Sequence, residues 1–126
     1  MYRLKHKIYA DAGKILKYKN GFAYSLGDID LKDVSEIDVN IDDMHLDGQW
    51  IIYSNGLLRE LNSKSASYGE WKAKFIGKQF SSDSQIAIML NKDDSAEDAL
   101  LYKKMQEWRA WSGKISNKIV KLNGNN

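Results

Sequence analysis

The chain has 126 residues, 43% of them hydrophobic, with four Trp and seven Tyr; the length suits one domain and the aromatics supply a core, which excludes a disordered chain. There are no cysteines, so disulfide scaffolds, cysteine-ligated zinc and thiol catalysis are excluded. Net charge is only +2, yet residues 28–47 hold eight acids against Lys32, giving −7, while the remainder holds nine acids against 18 Lys or Arg, giving +9; such asymmetry either steers a charged partner or solvates two opposite faces.

Residues 2–9 alternate, with Tyr2, Leu4, His6 and Ile8 on one side and Arg3, Lys5 and Lys7 on the other, which predicts one half-buried strand. Asp11-Ala12-Gly13 reads as a turn. Asn20-Gly21 between β-prone runs predicts a hairpin, because both turn residues must take positive φ. A two-residue turn there sets Lys19 opposite Phe22, Lys17 opposite Tyr24 and Ile15 opposite Leu26. Ile37, Val39 and Ile41 alternate with Asp38, Asn40 and Asp42 and predict a strand with its carboxylates in water. Asn55-Gly56, between Trp50-Ile51-Ile52-Tyr53 and Leu57-Leu58-Arg59-Glu60-Leu61, predicts the clearest hairpin of the chain.

Asn62 to Ser67 is a polar loop. Residues 68–80 fit either period: Trp71, Ala73 and Phe75 alternate, while Ala73, Ile76 and Phe80 share a helical face. Aromatic content and the flanking Gly69 and Gly77 favour a strand. Ser82 or Asp83 is a candidate cap for a short helix over about 83–91. Ser95-Ala96-Glu97-Asp98 resembles a capping box and opens a long helix over about 96–121. Positions 101, 105, 108, 112, 115, 119 and 122 make a 4-3-4-3 stripe in which only Ser112 is polar, and Ser112-Gly113 is a candidate bend. Strands first and helices last predict a single α+β domain over residues 1–122. Its antiparallel hairpins lie within about 2–80, a C-terminal helical hairpin follows, and residues 123–126 form a disordered tail.

The chemistry-bearing motifs are weak. Asp38-x-Asn40-x-Asp42 opens like a calcium loop, but the sixth position is Asp43 rather than Gly and the twelfth is Gln49 rather than Glu. Asp42, Asp43, His45 and Asp47 form the one histidine–carboxylate cluster, within a short acidic turn. No nucleophile elbow, dinucleotide fingerprint or P-loop occurs. The expectation is no catalytic, cofactor-binding or metal residue and no cofactor. The longest apolar run, Ile86 to Leu90, is far short of the ~20 residues needed to span a bilayer, and the charged N-terminal stretch lacks the apolar segment of a secretory signal.

Two interaction readings remain. The helical stripe with its flanking tryptophan (Leu101, Met105, Trp108, Trp111, Ile115, Ile119) runs for ~40 Å if fully helical. It either covers the domain's own sheet or overhangs it and pairs with another chain. The second outcome predicts a homo-oligomer or a protein partner held through the C-terminal helix. Alternatively Arg3, Lys5 and Lys7, with Trp71, Lys72, Lys74 and Lys78, offer cations beside aromatics, the composition of a nucleic-acid platform.

The stretch from Lys7 to Leu16, KIYADAGKIL, resembles the opening of small, mostly uncharacterised proteins encoded in tailed-phage and prophage gene clusters, and Lys103 to Arg109 has a similar flavour. The resemblance implies a phage-derived structural or accessory role, while the short apolar runs and the lack of a signal segment lead to the expectation of a cytoplasmic protein, or one assembled into a phage particle. It carries no residue-level activity.

Overall fold

The computed structural model describes residues 1–18, 21–22, 31–56 and 58–124. The segment 2–9 is not one strand. It is a hairpin of β1 (Tyr2–Leu4) and β2 (Lys7–Tyr9), with Arg3 paired to Ile8. The turn residues Lys5 and His6 both take left-handed φ, 50° and 66°. Non-glycine residues rarely adopt that conformation unless something holds them there. Here the Lys5 N–H donates to Glu97 Oε1 at 2.9 Å, and the Lys5 ammonium lies 3.0 Å from Asp98.

A second sheet has the order β4-β3-β5, where β3 is Lys14–Tyr18, β4 Gly21–Phe22 and β5 Val34–Asp38, all antiparallel. The β3–β4 register differs from the expected one. Lys17 faces Phe22 and Tyr18 faces Gly21, because Gly21 joins the strand; Lys19, Asn20, Tyr24 and Leu26 lie outside the described residues. The alternating segment at 37–42 also ends early. Ile37 and Val39 are buried, but the Asn40 side chain accepts from the Asp42 N–H and starts a 3₁₀ turn over Ile41–Asp43.

The third sheet is β6 (His45–Asp47), β7 (Trp50–Tyr53) and β8 (Leu58–Leu61). Its β7–β8 register, Trp50 to Leu61 and Tyr53 to Leu58, is the one an Asn55-Gly56 turn demands, and Gly56 has φ of 89°. The turn is broader than two residues, with a 3₁₀ segment over Ser54–Gly56.

Residues 68–77, expected as a strand, form helix α1 (Tyr68–Gly77). The capping box decides it: the Ser67 hydroxyl accepts from the Glu70 N–H and the Glu70 carboxylate accepts from the Ser67 N–H. Trp71, Phe75 and Ile76 then share one buried face. Helix α2 (Ser82–Leu90) is capped by Ser81, one residue before the expected position. Helix α3 (Ala96–Leu122) is capped by Ser95 and continues through Ser112 and Gly113. The Ser112 hydroxyl donates to the Trp108 carbonyl at 2.8 Å. Ser112, Gly113 and Ser116 are all buried, and Tyr68 and Lys72 of α1 close over Gly113. Close packing offsets the roughly 1 kcal/mol helix penalty of glycine.

The core joins these parts. Tyr9 stacks on Phe80 with centroids 5.2 Å apart, Phe75 meets Tyr53 and Trp111, and the Trp108 indole donates to the Phe75 carbonyl at 2.9 Å. Buried Gln79 makes two hydrogen bonds with the backbone of Ala10. Asn123 belongs to the folded domain rather than to a tail, since its amide exchanges two hydrogen bonds with that of Asn62, at 2.7 and 2.9 Å. Asn125 and Asn126 lie outside the described residues.

Candidate interaction surfaces

The α3 stripe is inside the protein. Leu101, Met105, Trp108, Trp111, Ile115 and Ile119 are all buried, none above 8% exposed. Helix α1 crosses the middle of α3, with Tyr68 and Lys72 at Gly113 and the Phe75 carbonyl on the Trp108 indole. The stripe therefore covers the chain's own core, and the overhang argument for pairing another chain through it falls.

The lysine and aromatic set expected for nucleic acid is scattered. Lys5 sits in the β1–β2 turn, and its hydrogen bond to Asp98 raises its pKa above the ordinary lysine value. Trp71 is 1% exposed, so its ring offers no stacking surface. Lys78 and Lys74 both turn to Glu60, at 2.8 and 3.3 Å, and the Tyr53 hydroxyl donates to the same carboxylate at 3.1 Å. Burial pushes the Lys78 ammonium below its ordinary pKa, with Glu60 opposing. This cluster ties α1 to β7 and β8. Arg3 and Lys7 stay on the β1–β2 hairpin, and Lys72 stays at the surface of α1.

The acidic segment is spread along the chain. Asp42 and Asp43 lie in the 3₁₀ turn, His45 and Asp47 at the two ends of β6, and the Asn40 amide donates to Asp43 at 3.1 Å. Among the described residues no three His, Asp or Glu side chains are placed to hold a metal ion, and no helix is long and apolar enough to cross a membrane.

What the structure exposes instead is one face of α2. Ile88 is buried, but Ile86 is 58%, Met89 56% and Leu90 78% exposed. Residues at i, i+3 and i+4 fall together on a helix, so the three make one apolar face. The signal was present in the sequence. Five consecutive apolar residues point all round a helix, and a helix at the surface of a domain can bury only one side of such a run. A second feature is a groove between α1 and α3, walled by Tyr68, Lys72, Lys114 and Asn117. No family model, curated protein or solved structure matches this chain.

Proposed function

We propose that this protein is a non-enzymatic interaction or assembly protein that self-associates through the exposed face of α2. The observation that carries the reading is the exposure of Ile86, Met89 and Leu90 together. Large apolar side chains grouped on one face mark contacts more often than chance exposure does. The occupant is a second copy of the chain, with its α2 antiparallel to the first about a two-fold axis. That arrangement packs Ile86 against the partner copy's Met89 and sets Asp83, in the first turn of α2, opposite Lys92 just past its end. The face is self-complementary in both shape class and charge. It is also small, which suits a weak, concentration-dependent contact of the kind that becomes strong only when repeated in an assembly. The phage-cluster resemblance of residues 7–16 agrees with a structural or accessory component of such an assembly.

Sedimentation equilibrium tests the reading. At high micromolar concentration the mass exceeds 14.4 kDa, and Leu90→Glu restores the monomer while the melting temperature stays that of the parent, since Leu90 touches no core. Asp83→Lys weakens the association, and adding Lys92→Asp recovers it. A parent that remains monomeric across the accessible range, or a Leu90→Glu variant as associated as the parent, refutes the proposal.

A further inference from the structure

Two sets of lysines stand out among the described residues. Lys5, Lys14, Lys74, Lys78 and Lys104 are each held by an acid: Asp98, Glu36, Glu60, Glu60 and Asp11. Lys72, Lys114, Lys118 and Lys121 meet no acid among the described residues; Lys72 and Lys114 meet where α1 crosses α3 at Gly113, and Lys118 and Lys121 follow Lys114 at i+4 and i+7 on the same side of α3. From Trp108 to Leu122 the chain holds Arg109, Lys114, Lys118 and Lys121 and no acid. The one acid of α1, Glu70, is engaged in its capping box.

At the centre of this basic strip the groove of about 370 Å³ has Gly113 as its floor. A Cβ placed on Gly113 would stand 2.8 Å from the Tyr68 hydroxyl and 3.9 Å from the Lys72 ammonium. Two donors therefore converge on a bare stretch of α3 backbone that only glycine provides. Lys114 and Asn117, one turn along the same helix, complete the wall. None of these four side chains has a hydrogen-bond partner among the described residues, and the Tyr68 ring is 44% exposed beside them.

From this we infer that the Tyr68–Lys72–Lys114–Asn117 groove is a phosphate seat for single-stranded nucleic acid. Two ammonium groups, a phenol and an amide are donors suited to phosphodiester oxygens. The open aromatic face accepts a base by stacking, and Lys118 and Lys121 extend the positive track along the strand. This inference is independent of self-association through α2, which lies against the other half of α3.

Fluorescence anisotropy with a labelled oligothymidylate of about 20 nucleotides tests it. The full-length protein binds, and affinity falls steeply between about 50 and 200 mM salt because counterions are released. The Lys72→Glu/Lys114→Glu pair weakens binding at least about tenfold and flattens the plot of log K against log salt by ~1.4. Tyr68→Ala, which removes the stacking face, costs about fivefold or more. Gly113→Ala is the sharpest probe. Its methyl displaces the Tyr68 hydroxyl and the Lys72 ammonium from the groove, so binding weakens while the circular dichroism spectrum and cooperative thermal unfolding of a folded protein are kept. Inorganic phosphate competes beyond what chloride of equal ionic strength does. The inference is overturned if the oligonucleotide does not bind at low salt, or if the double lysine variant binds as the parent does. Phosphate that competes no better than chloride overturns it too. Binding to phosphatidylserine vesicles with none to the oligonucleotide assigns the strip to a membrane surface and also overturns it.

Discussion

Helices α1 and α2 are near twins locally and opposites globally. They have 10 and 9 residues, each is capped by a serine at the same offset, and both lie against α3. Yet α1 sends Trp71, Phe75 and Ile76 into the core, whereas α2 buries only Ile88 and turns Ile86, Met89 and Leu90 outwards. The difference lies in the spacing of apolar residues. Those of α1 fall at i, i+4 and i+5, within one arc of the helix that packs inwards. Those of α2 are consecutive and cannot share a side. A cap and a length make a helix; the angular placement of its apolar residues decides whether it becomes a piece of the core or a contact surface.

The largest expected effect is on the α1 side of that contrast. Phe75 is fully buried between Tyr53, Trp71 and Trp111. Phe75→Ala lowers unfolding free energy by about 3–5 kcal/mol in urea titrations, whereas Leu90→Ala changes it by less than about 0.5 kcal/mol. Equal losses from the two variants would break the comparison. Next is the polar anchor of α1. Glu60→Leu leaves Lys78 buried without its carboxylate and costs about 3 kcal/mol by the same measurement, a loss that Glu60→Leu/Lys78→Met largely recovers because the charge left without its partner, Lys74, is solvated.

Smaller effects sharpen the contrast at the caps. Ser67→Ala costs about 1 kcal/mol, since Trp71, buried one turn in, ties the start of α1 to the core; Ser81→Ala costs half that or less, because the first buried residue of α2, Ile88, comes only in its second turn and the start can loosen alone. Hydrogen exchange would place the loosened amides in the first turn of α2 only. The smallest effect is in acid. The Ser95 hydroxyl, and after it Lys5, hold the Asp98 carboxyl below its ordinary pKa. A carboxylate with a lowered folded pKa contributes stability that is complete above its unfolded value near 4 and is lost as pH falls through the folded value. Asp98→Asn therefore melts slightly below the parent at pH 7, and the two curves converge as the pH falls below the ordinary carboxylate range. A gap that stays constant with pH would show that the charge of Asp98 is irrelevant to the β1–β2 turn.

Self-contained signals were legible in the sequence, and signals completed elsewhere in the chain were not. The β7–β8 register follows from Asn55-Gly56 and its flanks alone. The bounds of α3 follow from the capping residues Ser95 and Asp98 and a stripe with helical period, and the α+β class follows from strands preceding helices. Three things needed the tertiary structure. The Lys5-His6 turn exists because Glu97 and Asp98 hold it from more than ninety residues away, and nothing in the alternation of residues 2–9 encodes that. The helix at 68–77 competes with an equally good alternating pattern; its Ser67–Glu70 capping box is local, but the contacts that hold its buried face, Phe75 against Trp111 and its carbonyl on the Trp108 indole, are made only with α3. The stripe on α3 was visible, but periodicity states only that a face is apolar, not what covers it. The cover comes from elsewhere in the same chain, with α1 crossing at Gly113, where Tyr68 and Lys72 close over the bare backbone. The same close approach set Tyr68 and Lys72 over Gly113 and opened the groove beside them. Burial is a property of pairs of elements, and a single chain segment carries only half of each pair.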